Sequence, residues 1–438
     1  MARIKNLPTS GLSYNPNDLV YWDQAALHQE LERGFEICHG CRLCWNLCPS
    51  FPELFQAVDG HGGDVRQVTP AQTDRVIDTC YQCKLCYVKC PYTPDDGHEF
   101  QLDFPRLLMR ANFVRKKQQG VGLRASLLAR PELVGRLGGL TAPLTNIANR
   151  TPALRLGLEM TLGIHRDKLL PDFHWESFQD WFRKQPAPAG DPSQAVLFVT
   201  CFVNYNNPQV GKDAVEAFSK NGVCLDCPQQ NCCGMPALEA GDFTLAKKLA
   251  EANVESLSPH IEAGKKVLAV NPTCSYMLRK EYPEIVGTEA AQKLSAATMD
   301  LCEYLFQRKQ QGLFNREFLS SPGSVAYHLP CHLKAQNIGF RSRDLMRLIP
   351  ETTVRLVEQC SAHDGTWAMK KEFFPLSMLT GKKAFDQMAE SQPDTMATDC
   401  PLAAIHFDQA LGVRPIHPIQ VLARAYRRDG FPKTLEQN

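Results

Sequence analysis

Beyond residue 190 the chain alternates between two hydrophobic patterns. Short apolar runs bounded by turn residues read as strands: AVLFVTC (195–201), KKVLAVNPTC (265–274), SVAYHLPC (324–331), VRLVEQC (354–360) and DTMATDC (394–400). Between the first of them, PQVGKDAVEAFSKNG (208–222) and DFTLAKKLAEANVESL (242–257) space their apolar residues as helices do. Strands alternating with helices predict parallel βα units. The N-terminal hundred residues read differently. There DQAALHQELERGFEIC (23–38) and AQTDRVIDTC (71–80) carry helical spacing, separated by the turn-rich stretch DGHGGDVRQVTP.

Every one of those strand-like runs closes on a cysteine, at the strand end where open α/β sheets place their sites. The pattern also repeats. Cys331, Cys360 and Cys400 follow Cys201, Cys232 and Cys274 at offsets of 331 − 201 = 130, 360 − 232 = 128 and 400 − 274 = 126 residues. A tandem duplication is expected, with the two copies packed about a pseudo-twofold axis.

Composition sharpens this picture at one point. The chain has 438 residues, 44% hydrophobic and 22% charged, enough for a full-sized core and about three domains. Lys+Arg is 48 against Asp+Glu 47, so bulk charge favours neither nucleic acid nor an acidic partner. The number that stands out is 18 cysteines. No run approaches the ~18 apolar residues of a membrane span, and MARIKNLPTSGLSYNPNDL lacks the apolar core of a secretory signal. A cytoplasmic protein is expected, in which clustered cysteines serve metal or redox chemistry rather than a disulfide framework.

Two segments carry that chemistry most clearly. Residues 38–49 read CHGCRLCWNLCP and residues 80–91 read CYQCKLCYVKCP. Both are C-x2-C-x2-C-x3-C-P, the pattern of bacterial two-cluster ferredoxins, in which the fourth cysteine of each run ligates the other cluster. Carried over, Cys38, Cys41, Cys44 and Cys90 would hold one [4Fe–4S] cluster, and Cys80, Cys83, Cys86 and Cys48 the second. His28, His39, His61 and His98 lie nearby and are read as surface or packing residues. Cys224 and Cys227 form a C-x-x-C read as structural, and Cys302 as a core residue.

Residues 104–160 are lopsided in charge. They hold ten Arg or Lys (Arg106, Arg110, Arg115, Lys116, Lys117, Arg124, Arg130, Arg136, Arg150 and Arg155) against Glu132 and Glu159. Leu, Val and Ile recur between them at near-helical spacing, as in LRASLLARPELVGRLGGL. Such helices either lie at a membrane surface, with cations toward lipid headgroups, or bridge domains and dock a partner. QPAPAGDPSQ (185–194) reads as a linker.

The run Cys201…Cys232-Cys233-Gly234…Cys274 resembles the CCG (cysteine-rich) domain of heterodisulfide-reductase-related iron–sulfur proteins. Fused behind a ferredoxin-type unit and duplicated, with CSAHDGTWAMKKEFFPLS (360–377) in the second copy, it is similar to the iron–sulfur subunits of anaerobic glycerol-3-phosphate dehydrogenases and glycolate oxidases. The resemblance implies a mixed fold. Residues 1–103 would form a helical two-cluster ferredoxin domain and 104–190 a helical connector with its linker. Residues 191–322 and 323–438 would be two α/β CCG copies. It also implies a further iron–sulfur cluster or iron on Cys201, Cys232, Cys233 and Cys274. The sequence departs from the full pattern at Met277 and Ser361, where paired cysteines would stand. The second copy therefore either holds a metal through Cys331, Cys360 and Cys400, with His332 or His363 as substitutes, or is kept for packing.

No G-x-G-x-x-G or P-loop opens a strand–helix unit, so no flavin or nicotinamide site is visible. A flavoprotein dehydrogenase or other redox partner would have to supply the electrons. Their acceptor would be quinone at the inner face of a membrane, a disulfide split at the CCG site, or another redox protein. His332, His363 and Asp364 are candidates for delivering the protons that such an acceptor needs.

Overall fold

A computed structural model describes residues 6–186, 194–390 and 392–432. Most of the expected linker, 187–193, lies outside the described residues.

The α/β half forms two parallel sheets. The first has the order β2-β1-β3-β4, from β1 (Ala195–Phe198), β2 (Leu225–Asp226), β3 (Lys266–Ala269) and β4 (Thr298–Asp300). The second has the order β6-β5-β7, from β5 (Ser324–His328), β6 (Thr353–Val357) and β7 (Thr395–Thr398). All pairings within both sheets are parallel. The order 2-1-3 recurs as 6-5-7, so the repeated cysteine spacing corresponds to a repeated topology, to which β4 is an addition.

The central strands β1, β3 and β5 are buried along nearly their whole length and read as unbroken apolar runs, whereas the edge strand β6 alternates, with Thr353 and Arg355 exposed. Along β1, Leu197 and the following Val199 face one cluster while Val196 and Phe198 face another. The first cluster is common to the two copies. Leu197, Leu268 and Met299 meet Val325, Tyr327 and Ala397 there, between the helices Pro208–Lys220 and Pro418–Ala425. Cys302 is fully buried in this shared core. The duplicated sheets are thus held by one continuous hydrophobic interior rather than by a surface contact.

The N-terminal half is helical. Gln24–Cys41, Ser50–Gly60, Pro70–Thr79 and Phe104–Gln119 enclose Phe35, Phe51, Leu54, Phe55, Val58 and Leu107. Thr69 and Gln72 form a reciprocal capping box at the start of Pro70–Thr79.

The cations of the 104–160 segment do not form a free cationic face. Arg115 pairs with Asp74 and Asp78, Arg124 with Glu372 and Arg150 with Asp172. Arg106 binds the Lys280 carbonyl, and Lys117 lies over the Trp22 ring. Arg155 donates to the carbonyls of His165, Arg166 and Lys168. These charges tie the connector to its neighbours. The apolar positions behave in the opposite way: on Pro131–Leu140, Ala142–Arg150 and Pro152–Leu162, Leu137, Ile147, Leu154 and Met160 are exposed, and Leu140 and Leu144 are each 71% exposed. No helix among the described residues is long and apolar enough to cross a membrane.

Arg110 is fully buried and holds the N-terminal segment by donating to Tyr21 O (2.7 Å), Gly11 O (2.8 Å) and Val20 O (2.5 Å). Arg110→Met leaves those carbonyls without a donor. The expected cost is about 3 kcal/mol or more, read as a lowered midpoint of urea unfolding, with early proteolysis before residue 23.

Candidate metal centre

The N-terminal cysteines gather in two adjoining cavities. Cys38, Cys41, Cys44 and Cys90 line one, with Phe51, Phe55 and Leu102. Cys48, Cys80, Cys83 and Cys86 line the other, again with Phe51. The fourth cysteine of each run lies with the first three of the other run. The loops that arrange this contain non-glycine residues in the left-handed region: Arg42 (φ 51°), Gln82 (φ 53°) and Lys84 (φ 63°). Each costs roughly 1–2 kcal/mol relative to ordinary backbone. Such strain between consecutive cysteines is what curling a short loop around one centre requires.

Each sheet brings its own set. In the first copy, Thr200 sits at φ 70°, ψ 150°, almost a glycine-only conformation, and delivers Cys201 into the start of a short helix. The Cys201 thiol donates to Cys232 Sγ across 3.9 Å. That bond, with a second from Cys233, holds the Cys232 thiol far below its ordinary value. Cys233 in turn pairs with Cys274, both buried. Gly234 has φ 91°, and an added Cβ would stand 3.4 Å from Ala246 O, so its role is both the turn and close packing on Phe243–Glu262. Met277, where the full pattern has a further cysteine, is fully buried in the core.

In the second copy, Cys331, Cys360 and Cys400 line a single cavity with His328, His332, His363 and Asp364. The four histidine and carboxylate groups differ in what they can still do. His328 is engaged at both ring nitrogens, by Thr398 Oγ1 (3.0 Å) and Gln359 O (3.2 Å). His332 is engaged likewise, by Thr273 Oγ1 (3.0 Å) and Gln82 O (2.9 Å). Its Nε2 must donate to the carbonyl, so its Nδ1 accepts from Thr273. Burial lowers the pKa of each ring to about 4. His332, expected as a proton donor or substitute ligand, is therefore a neutral clamp with no free nitrogen. His363 has neither nitrogen partnered. It turns toward His406 (ring centroids 5.4 Å) and the charge of Lys168, whose Nζ is 2.8 Å from His406 Nδ1. Asp364 lines the same cavity, one oxygen of its buried carboxyl has no hydrogen-bond partner, and Glu239 of the first copy lies against it.

Glu239, Lys168 and His406 cannot be singled out from the sequence, because nothing in their local sequence marks them. They become neighbours of the site only through the packing of the copies and of the segment 163–177. Cys224 and Cys227 are partly buried, and Cys227 lines the same cavity as Cys232. His28, His39 and His61 meet Glu32, Asp59 and Gln72, and His98 packs on Phe100.

The sets are in contact. Tyr81 Oη lies 3.2 Å from Cys360 Sγ, which joins the second N-terminal cavity to the second-copy cavity. Thr273, next to Cys274 of the first copy, lines the second-copy cavity and lies 3.0 Å from His332 Nδ1, which joins the two copies. Beyond the first copy, a cavity of about 880 Å³ reaches from Cys232 outward past Glu132, Tyr205 and His174 to Leu133, Leu140 and Trp175.

The donor chemistry fits iron–sulfur clusters. Burial, reinforced by neighbouring thiol charges, raises the Cys38, Cys83, Cys86 and Cys331 thiols well above their ordinary value. So many buried thiolates cannot coexist without a cationic core to neutralise them. Among the described residues, the only group whose three potential ligand atoms lie within 4.8 Å of one another is Asp300, Cys302 and Asp399. The cysteine sets are wider than a single tetrahedral ion needs.

These features define a duplicated cysteine-rich protein of iron–sulfur type, and sequence comparison agrees. The cysteine-rich (CCG) domain family matches at residues 195–279 and 325–408. A subunit of the anaerobic glycerol-3-phosphate dehydrogenase of Escherichia coli is 33% identical over 311 residues, covering 69% of this chain and 77% of the relative. The chain belongs to this family of CCG-domain iron–sulfur oxidoreductase subunits. It is also similar to a subunit of the fumarate reductase (CoM/CoB) of Methanothermobacter marburgensis, 26% identical over 54% of this chain and 47% of the relative. Lactate utilization protein A of Geobacillus thermodenitrificans is 28% identical over 47% of this chain and 86% of the relative.

One buried ion pair locks the N-terminal loop onto the first copy. Lys84 Nζ lies 3.1 Å from Glu281, both side chains almost wholly buried. Burial opposes ionisation of Glu281, but Lys84 and Arg106 outweigh it and hold the carboxyl below its ordinary value. Lys84→Met strands that carboxylate and is expected to cost about 3–5 kcal/mol, whereas Lys84→Met with Glu281→Leu recovers most of it. Anaerobic urea unfolding of the single and double variants checks both expectations.

Proposed function

We propose that this chain is the electron-transfer subunit of an oxidoreductase that accepts electrons from a flavoprotein dehydrogenase partner and delivers them to quinone. On this reading Cys38, Cys41, Cys44 and Cys90 hold one [4Fe–4S] cluster and Cys48, Cys80, Cys83 and Cys86 a second. Cys201, Cys232, Cys233 and Cys274 hold a third centre, and Cys331, Cys360 and Cys400 contribute to a fourth. When bound, such clusters supply one-electron carriers.

The observation that carries the reading is the order of the cavities. The two N-terminal sets adjoin through Phe51. Tyr81 leads from the second of them to Cys360. Thr273, which precedes Cys274, lines the second-copy cavity and bonds His332. Cys232 closes the inner end of the large cavity. The row starts at the surface helices of the N-terminal half and ends at a chamber within the usual size range for an organic ligand. The chamber's outer wall belongs to the helix Pro131–Leu140, whose leucines are exposed. An amphipathic acceptor with an apolar chain suits that mouth. The dehydrogenase named in the Escherichia coli relative is the kind of partner proposed here.

Two measurements test this. Anaerobically purified protein should contain about twelve or more irons per chain with matching sulfide, where about eight would restrict the metal to the N-terminal sets. Leu249 lines the large cavity, and Leu249→Trp is expected to raise KM for a short-chain quinone by about tenfold or more, worth ~1.4 kcal/mol, while dithionite reduction of the centres stays unchanged. A Leu249→Trp enzyme with wild-type quinone kinetics removes the cavity assignment. Reduction of a disulfide but not of quinone would favour the disulfide-reductase alternative.

A further inference from the structure

We infer that Asp300, Cys302 and Asp399 form a site for a single zinc ion in the core shared by the two copies, apart from all the cysteine sets that line the cavities.

The three residues reach this point from different elements. Asp300 ends β4, and Cys302 lies in the first turn of the helix Leu301–Gln310 that follows it. Asp399 comes directly after β7 in the second copy. All three stand at the carboxyl ends of strands, and β4 is the strand for which the second copy has no counterpart. Asp399 and Cys400 adjoin in sequence but go different ways. Asp399 meets Tyr327, part of the shared core, whereas Cys400 lines the second-copy cavity with His328. Tyr327 and His328 are successive residues of β5 and so point to opposite faces.

A carboxylate oxygen of Asp300, one of Asp399 and Cys302 Sγ lie within 4.8 Å of one another. Neighbouring ligands of a tetrahedral zinc, each bound at ~2.0–2.3 Å, stand ~3.3–3.8 Å apart, so small side-chain adjustments close the set. All three residues are almost wholly buried. Two carboxyls and a thiol in a dry core are costly unless something neutralises them. Among the described residues no lysine or arginine pairs with either aspartate, and Arg279 is taken by Glu303. A shared proton does not meet the need, because the two carboxyls do not hydrogen-bond each other. Asp399 accepts from Tyr327 Oη at 2.5 Å and from Ser342 Oγ. Asp300 Oδ1 accepts from the Cys302 N–H at 2.9 Å, while its buried Oδ2 has no hydrogen-bond partner. A buried oxygen left in that state calls for an ion or a water.

The donor set selects the ion. A thiolate disfavours magnesium and calcium, and one sulfur with two carboxylates suits zinc. Each Asp399 oxygen keeps a second lone pair for the metal, and Tyr327 and Ser342 orient the carboxylate from behind. The Ser342 hydroxyl or a water completes the fourth position. Cys302 binds as the thiolate, and its proton passes to solvent as the metal enters. Asp300 and Cys302 belong to the first copy and Asp399 to the second, so the ion ties the two sheets together.

The test uses full-length protein purified anaerobically from cells grown with added zinc. Zinc, iron and sulfide are measured per chain, and zinc K-edge EXAFS is recorded. Wild type should carry about one zinc at this site, in a shell of one sulfur with oxygens. Asp300→Asn and Cys302→Ala should each lose that zinc with iron and sulfide unchanged; Asp399 is left intact because it adjoins Cys400. Wild type without zinc, a zinc shell of sulfur alone (as zinc misplaced among the cluster cysteines gives), or zinc retained in Cys302→Ala would each overturn the site. Should both variants fail to fold, the wild-type shell decides by itself. The ion takes no part in electron transfer, so its absence beside a full complement of iron leaves the proposed function standing.

Discussion

The arrangement turns on a buried polar junction where three parts of the chain meet. His332 joins Gln82 of the N-terminal loop to Thr273 of the first copy. Each of these residues is the immediate neighbour of a cysteine: Cys83, Cys274 and Cys331. A ring locked in one tautomer by a donor on one side and an acceptor on the other fixes both distance and direction. The Lys84–Glu281 pair stands beside it, with the Tyr276 ring stacked on His332. Buried polar groups of this kind add little net stability over apolar packing, but they tolerate only one arrangement. The cysteine sets are therefore kept in register by neighbours that need not bind anything themselves.

How much of this was legible in the sequence follows from where each signal resides. Strand positions were readable because parallel strands covered on both faces leave continuous apolar runs, as in β1, β3 and β5, while β6 and β7 were marked by short runs closing on a cysteine. The duplication was readable because cysteine spacing survives when other residues diverge. The short β4 was not, since Thr298–Asp300 has three residues and no apolar run. The lysines and arginines of 104–160 were readable as charges but not as ties, because their partners (Glu372, Asp172 and backbone carbonyls) lie in distant or featureless positions. The roles of His332 and His363 could not be separated either. Both stand near cysteines in sequence, and only the fold reveals that one has every nitrogen used and the other none.

The exposed leucines of the connector acquire a meaning from the same comparison. An amphipathic helix normally buries its apolar stripe and exposes its charges. Here the cations fasten the connector inward while Leu137, Leu140, Leu144 and Ile147 remain outside. Exposed apolar side chains gathered on neighbouring helices are unfavourable in water, and on the proposed function they would form a binding surface. It borders the mouth of the large cavity, so on the proposed function one feature would serve both to hold the protein against its surroundings and to admit an apolar acceptor.

The divergence of the two copies is consistent with their positions. The second copy packs against the N-terminal cysteines through Tyr81 and Trp367 and against the first copy through Thr273, and Cys360 also lines a cavity of about 320 Å³ with Leu85, Lys334 and Glu358. The first copy retains the adjacent pair Cys232 and Cys233, and it alone faces the large cavity. The cavity beside the paired thiols, about 880 Å³, is larger than the one beside Cys360, about 320 Å³. On the proposed function, the adjacent pair Cys232 and Cys233 would stand at the end of the row where the organic acceptor binds, and the single Cys360 at a passing point.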